Sequence, residues 1–179
     1  MQYAIRRLFL ISILLMGFCL AVQAVDTQFM LGPYQVSLTT TSSLELGRAY
    51  NGSLDNKTVY IQEAGGNISF TSTEAGPEVE FGITTVHNST EAIKADLENN
   101  VKLSLTKGGQ RDVYPWNIDN ATIAGADAKI GRGVIMRYGN MPIRVANFIV
   151  PGSDNDVMTV VVYKNATLAK EIFDSLGIA

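Results

Sequence analysis

Few residues in this chain could do chemistry, and their spacing excludes more than it offers. His87 is the only histidine, and the only cysteine, Cys19, sits in an N-terminal apolar run, so histidine clusters, histidine pairs and thiolate centres are excluded. His87 falls between a strand-like run and a helix start, which suits a structural or surface role better than a general base. No serine stands in a G-x-S-x-G elbow. The segment Gly125-Ala-Asp-Ala-Lys-Ile-Gly-Arg-Gly lacks the G-x-x-x-x-G-K-[ST] spacing and leads into a strand, not a helix, so it reads as a turn rather than a phosphate loop. Asp112, Asp119, Asp127, Asp154 and Asp156 are scattered and do not follow EF-hand spacing. The sequence therefore assigns no catalytic residue, no metal and no cofactor.

Three features remain that could bind or be modified. Asn51, Asn56, Asn67, Asn88, Asn120 and Asn165 each open an N-x-[ST] sequon without an intervening proline. Twelve asparagines follow Ala24, and serine plus threonine make up about 15% of that segment, so composition alone yields roughly two sequons. Six is an excess, although asparagine beside serine or threonine also marks turns and helix starts. Asn88 and Asn165 lie at expected N-caps, where a glycan competes with capping, so occupancy is expected first at Asn51, Asn56 and Asn120. The second feature is Tyr114-Pro115-Trp116, where the lone tryptophan either stacks on a sugar or anchors a partner, or else plugs the edge of the core. Arg137 and Arg144 form the third, as an anion-binding pair or as solvated strand arginines.

Arg6 and Arg7, the apolar run from Leu8 to about Leu20, and the small residues around Val22-Gln23-Ala24 read as a secretory signal peptide spanning residues 1–24. The run is short for a membrane span of about 20 residues, an uncleaved anchor being the other reading. Arg-Arg-Leu-Phe-Leu at 6–10 resembles a twin-arginine export motif but reads better as an ordinary basic n-region, given the strong hydrophobicity of the run that follows. Residues 25–179 then form one exported domain, secreted or on the outer face of the cytoplasmic membrane. Loss of Arg6 and Arg7 moves the formal charge from −3 to −5, with 12 basic against 17 acidic side chains. An acidic surface argues against nucleic acid and anionic lipid as partners. The domain is also cysteine-free, so it rests on its core without disulfides. Sequon excess without cysteine fits an archaeal exported protein better than a eukaryotic one.

The elements that must position these residues follow from periodicity. Tyr34, Val36 and Leu38 alternate with polar residues as a half-buried strand. Residues 40–56 read as loop or irregular edge. Short strands are expected near 59–62, 67–71 and 79–86, with Gly65-Gly66 and Gly76-Pro77 as turns between them. Asn88-Ser-Thr-Glu91 is a capping-box pattern opening a helix to about Leu105, with Ile93, Leu97 and Val101 as its stripe. IGRGVIMRY and PIRVANFIV flank Gly139-Asn140 as a hairpin. A two-residue loop places Val134 opposite Val145 and Met136 opposite Ile143, with Phe148 over Gly131 and the two arginines diagonal near the turn. VMTVVVY (157–163) is nearly continuous in apolar residues, as a central strand covered on both faces is. Asn165 opens a second helix whose stripe is Leu168, Ala169, Ile172, Phe173 and Leu176, closed by Gly177.

Strands, helix, meander and helix in that order make an α+β fold, a largely antiparallel sheet of about seven strands packed with two helices. The opening strand at Gly32-Pro33-Tyr34, the mid-chain helix, the run from Ile123 to Gly133, the hairpin, the apolar strand and a terminal helix closing on Ile172-Phe173-Asp-Ser-Leu resemble the Mog1/PsbP-like group. That resemblance implies a compact α/β/α sandwich used mostly for binding or assembly, and it carries over no functional residue. The expected function is a non-enzymatic envelope or extracellular module that binds a partner or ligand, the alternative being a secreted hydrolase with carboxylates assembled by the fold. A hydrolase requires two carboxylates within about 10 Å in one pocket; a binding module requires an apolar or aromatic patch instead.

Overall fold

A computed structural model describes residues 23–54, 57–71 and 75–179. The segment read as a signal peptide lies almost wholly outside the described residues, as does the sequon at Asn56. Among the described residues no helix is long and apolar enough to cross a membrane.

The organising element is the apolar run, now β9 (Asp156–Tyr163). Five of its residues, Val157, Met158, Val160, Val162 and Tyr163, are no more than 4% exposed, so both faces need cover. It lies fourth of seven in an antiparallel sheet of order β3-β4-β5-β9-β8-β7-β6. The other strands are β3 (Leu46–Leu54), β4 (Lys57–Ser69), β5 (Ala75–Thr85), β6 (Asn117–Ile123), β7 (Ala126–Ile135) and β8 (Met141–Ile149). One face is covered by α1 (Thr90–Thr106), whose Ile93, Leu97, Val101 and Leu105 are all buried as the helical spacing requires. The opposite face carries α2 (Ala166–Ser175) and a three-stranded sheet of order β1-β2-β10, made of β1 (Val25–Leu31), β2 (Tyr34–Thr40) and β10 (Gly177–Ile178). The fold is thus α+β with a largely antiparallel sheet, one helix on each face.

The α2 stripe Leu168, Ala169, Ile172, Phe173 and Leu176 is buried as expected, against Phe148, Val160 and Val162 among others. Each large member contributes about 1.5–3 kcal/mol of apolar burial. Asn165 caps the helix, its Oδ1 accepting from the Leu168 N–H at 3.0 Å. Leu176 then leaves the helix, and Gly177 starts β10 instead of merely ending α2. Helix α1 begins one residue later than the capping-box pattern suggested. Ser89 is the N-cap, accepting from Ala92 N–H at 3.3 Å, while Asn88 Oδ1 takes the Ser89 N–H at 2.9 Å. With the cap shifted, Ala92 occupies the third helical position, and Glu91 pairs with Lys94 at 3.0 Å.

The hairpin register also differs. Pairing runs Gly131↔Val145, Gly133↔Ile143 and Ile135↔Met141. Residues 136–138 form a 3-10 turn before Gly139-Asn140, so the connection is five residues long and the register moves by three. An odd shift turns β7 over relative to β8. Ile135, Ile143 and Val145 share the α1 face, and Gly131 lies under Val101 and Leu105, not Phe148. A Cβ on Gly131 would stand 2.3 Å from Val101 Cγ1, so α1 packs directly on bare backbone there. Within residues 40–56, read as loop or irregular edge, residues 46–54 form edge strand β3, with a register irregularity between Leu46 and Ala49. Gly65-Gly66 is a bulge inside a single long β4, and Gly76-Pro77 lies within β5, where Pro77 pairs with Asn67.

Candidate functional site

Helix α1 contacts β7 and β8 and shares core clusters with Val157, Val161 and Tyr163 of β9, leaving the same face of β4 and β5 without a helix over it. Side chains alternate across each strand, so Val59 and Ile61 of β4, Glu80, Gly82 and Thr84 of β5, and Thr159, Val161 and Tyr163 of β9 all point to that face. The last turns of α1 form a wall beside them through Leu103, Ser104 and Lys107, continued by Gly108 and Arg111. The result is a groove of about 410 Å³, within the range of about 300–1,000 Å³ common for ligand sites.

Gly82 shapes its floor. A glycine inside a strand weakens it and marks a bulge, a bend or a close approach of something else. Gly82 pairs in regular register with Ile61 and Thr159, so no bulge requires it. A Cβ built there would meet only Thr159 O at 3.8 Å and Tyr60 O at 3.9 Å, both ordinary contacts. Neither the backbone nor packing within the described residues demands glycine here, in contrast to Gly131. What the missing side chain leaves is room in the groove. Thr159 beside it is held by Asn147, whose Nδ2 donates to Thr159 Oγ1 at 2.6 Å.

One end of the groove is polar. Arg111 Nη2 donates to the Tyr163 hydroxyl at 2.8 Å, and that hydroxyl donates to Glu80 Oε1 at 3.1 Å. The guanidinium also stands 5.1 Å from the Tyr163 ring centroid, and Phe70 packs edge-on against that ring at 5.3 Å. Burial, and secondarily the Glu80 carboxylate, push the Tyr163 phenol well above its usual range, so it stays a proton donor at any ordinary pH. Among the described residues Glu80 is the one carboxylate lining the groove, with two cations, Arg111 and Lys107. Glu63 lies across from Glu80 on β4 but stands 3.7 Å from Arg48 and is not part of the lining. Half-exposed Leu103 (49%) gives the wall an apolar surface.

The residues singled out from sequence are distributed elsewhere. Arg144 and Arg137 do not pair: Arg137 is exposed in the 3-10 turn, while Arg144 is half-buried directly opposite Arg132 on the face away from α1. Arg132 is paired with Asp119, and among the described residues the Arg144 side chain bonds only the Ile143 carbonyl, at 3.1 Å. Burial, then the neighbouring Arg132 charge, lowers the Arg144 pKa. Trp116 does not plug the core. It is 45% exposed with Lys102 Nζ of α1 5.7 Å from its ring, and Tyr114 is 70% exposed. Trp116 and Arg144 both line a shallow concavity of about 270 Å³ with Arg132, whereas Tyr114 and Arg137 stand outside it. Asn51, Asn67, Asn88, Asn120 and Asn165 are all exposed. Where their amides are engaged it is through oxygen, as in the Asn165 cap and the Lys129 Nζ contact to Asn120 Oδ1 at 2.6 Å. The Asn165 cap uses Oδ1 and not Nδ2, the atom a glycan takes. Asn51 and Asn120 fall on β3 and β6, the two edges of the large sheet.

Sequence inspection missed Glu80, Arg111 and Tyr163 because they are far apart in the chain, 83 and 52 positions separating Tyr163 from its two partners. The available signal was Gly82, a glycine in the middle of the strand-like run VEFGITTV. Among the described residues no cluster of His, Cys, Asp and Glu is placed to hold a metal ion. Neither the comparison with protein-family models nor that with curated proteins finds a match to this chain.

Proposed function

We propose that this protein is an exported, N-glycosylated, non-enzymatic module that binds a small ligand in the groove above Gly82. The observation that carries this reading is Gly82 itself, a side chain omitted from a regular strand where nothing within the described residues occupies the space. An apolar floor of Val59, Ile61 and Val161 with a few convergent polar groups at one end is the usual make-up of a ligand site. The likeness of the layout to the Mog1/PsbP-like group points the same way, toward binding. A carboxylate-pair hydrolase would draw its second carboxylate from elsewhere, since Glu80 alone lines the groove among the described residues. The signal-like N-terminus, the sequon excess and the absence of cysteine after position 24 support export in an archaeal setting.

Titration with the fluorescent apolar probe anilinonaphthalene sulfonate tests the groove. Saturable one-to-one binding that Gly82→Val abolishes is the expected result. Binding that Gly82→Val leaves unchanged would contradict it. Mass spectrometry of the native protein tests the rest, with cleavage after Ala24 and hexose-bearing peptides at the exposed sequons expected. Bare asparagines at all six would remove the glycoprotein reading.

A further inference from the structure

The charges at the polar end of the groove point to a ligand class. Among the described residues Lys107 and Arg111 line the groove with one carboxylate, Glu80, while Glu63 opposite Glu80 on β4 is paired with Arg48. Arg111 has no carboxylate partner within ion-pair distance among the described residues. Among the described residues its one side-chain hydrogen bond goes to the neutral Tyr163 phenol, so its guanidinium is held in place with no carboxylate in direct contact. Lys107 is likewise without an ion pair; its left-handed backbone (φ 47°) ends α1 and sets it at the groove wall. Away from this end the floor is Val59, Ile61 and Gly82 with the methyl-bearing Thr84 and Thr159, while Val161 lies opposite Glu80 and Leu103 adds an apolar wall. A guanidinium held by Tyr163 presents a planar fork of donors, the geometry that a carboxylate accepts. Glu80 makes the same end unfavourable for a head of two or more negative charges.

We infer that the groove takes an amphiphile with one carboxylate head and an apolar tail, the head on Arg111 and Lys107 and the tail over Gly82. This rests on the groove being the binding site, and it adds the chemistry and orientation of the ligand. The occupant follows from charge complementarity at one end and apolar lining at the other.

Calorimetric titration with decanoate, decanol and decylammonium separates the two layers of the inference. Decanoate is expected to bind at least roughly tenfold tighter than decanol, and decylammonium weakest, since a charge-assisted contact is stronger than a neutral one. Lys107→Gln, an exposed change that leaves the fold alone, and Arg111→Gln should each weaken decanoate severalfold while leaving decanol within about twofold. Glu80→Gln should tighten decanoate. Equal binding of decanoate and decanol, or indifference of both to Lys107→Gln and Arg111→Gln, would overturn the head assignment while leaving the groove in place. If Gly82→Val spares the binding of all three, or if none of the three binds the wild-type protein, the groove reading falls with it.

Discussion

Two glycines on the same face of one sheet should respond in opposite ways to a side chain. At Gly82 a Cβ meets nothing closer than 3.8 Å, and the strand pairs regularly on both sides. Replacing glycine by valine removes an entropic penalty of about 0.5–1 kcal/mol. It also adds a β-branched residue whose strand preference is worth up to about 1 kcal/mol, set between Ile61 and Thr159 on neighbouring strands. Gly82→Val should therefore stabilise the protein by about 0.5–2 kcal/mol, a rise in Tm of about 1–8 °C for a domain of this size. The same side chain occupies the floor of the groove, so binding of the fluorescent probe should fall at least roughly tenfold, the gain in stability and the loss of binding appearing together. Differential scanning calorimetry and fluorescence titration on one preparation read both. A lowered Tm would show that the space above Gly82 is closed in solution. A raised Tm with unchanged binding would show that the space is open but is not the site.

Gly131→Ala should instead destabilise by about 1–3 kcal/mol, because its Cβ would overlap Val101 and Leu105 and force α1 outward; urea denaturation measures this. Tyr163→Phe should cost about 0.5–1.5 kcal/mol at neutral pH through the lost hydroxyl between Arg111 and Glu80. The folded pKa of Tyr163 is raised, so its neutral form stabilises the protein fully below the unfolded value of about 10, and that contribution is lost as pH rises through the folded value. Denaturation midpoints in the alkaline range should accordingly fall more steeply with pH for the wild type than for Tyr163→Phe. Arg144→Met should stabilise by about 0.2–1 kcal/mol at low salt by removing a like charge opposite Arg132, and denaturation at high salt should show the gain shrinking.

How much of this was legible in the sequence depended on burial. The strand 157–163 and the α2 stripe announced themselves, because nearly every residue in the first and every fourth in the second enters the core. Strand β1 carried the same kind of signal, with Val25, Thr27, Phe29 and Leu31 alternating with Asp26, Gln28 and Met30, and Gly32 (φ 63°) lies in the turn to β2. Strand β3 carried none. It is an edge strand, residues 46–51 are exposed without alternation, and backbone pairing with β4 alone defines it. The β7–β8 register was misread because Gly139-Asn140 looks sufficient for a turn, whereas residues 136–138 add a helical turn, with Tyr138 packed on Phe70 at 5.3 Å. That error paired Arg144 with Arg137 when the sheet pairs it with Arg132. The groove was hidden for a different reason: it exists because α1 covers only half of a face, and periodicity within one element does not reveal where a helix stops covering a sheet.

Chemical-shift mapping in a nitrogen–proton correlation spectrum, with decanoate added to the wild-type protein, tests ligand binding over Gly82 most directly. Shifts concentrated at Ile61, Gly82, Thr159, Val161, Lys107 and Arg111, and absent in Gly82→Val, are expected. Shifts centred on Arg132, Arg144 and Trp116, or none at saturating decanoate, would contradict it.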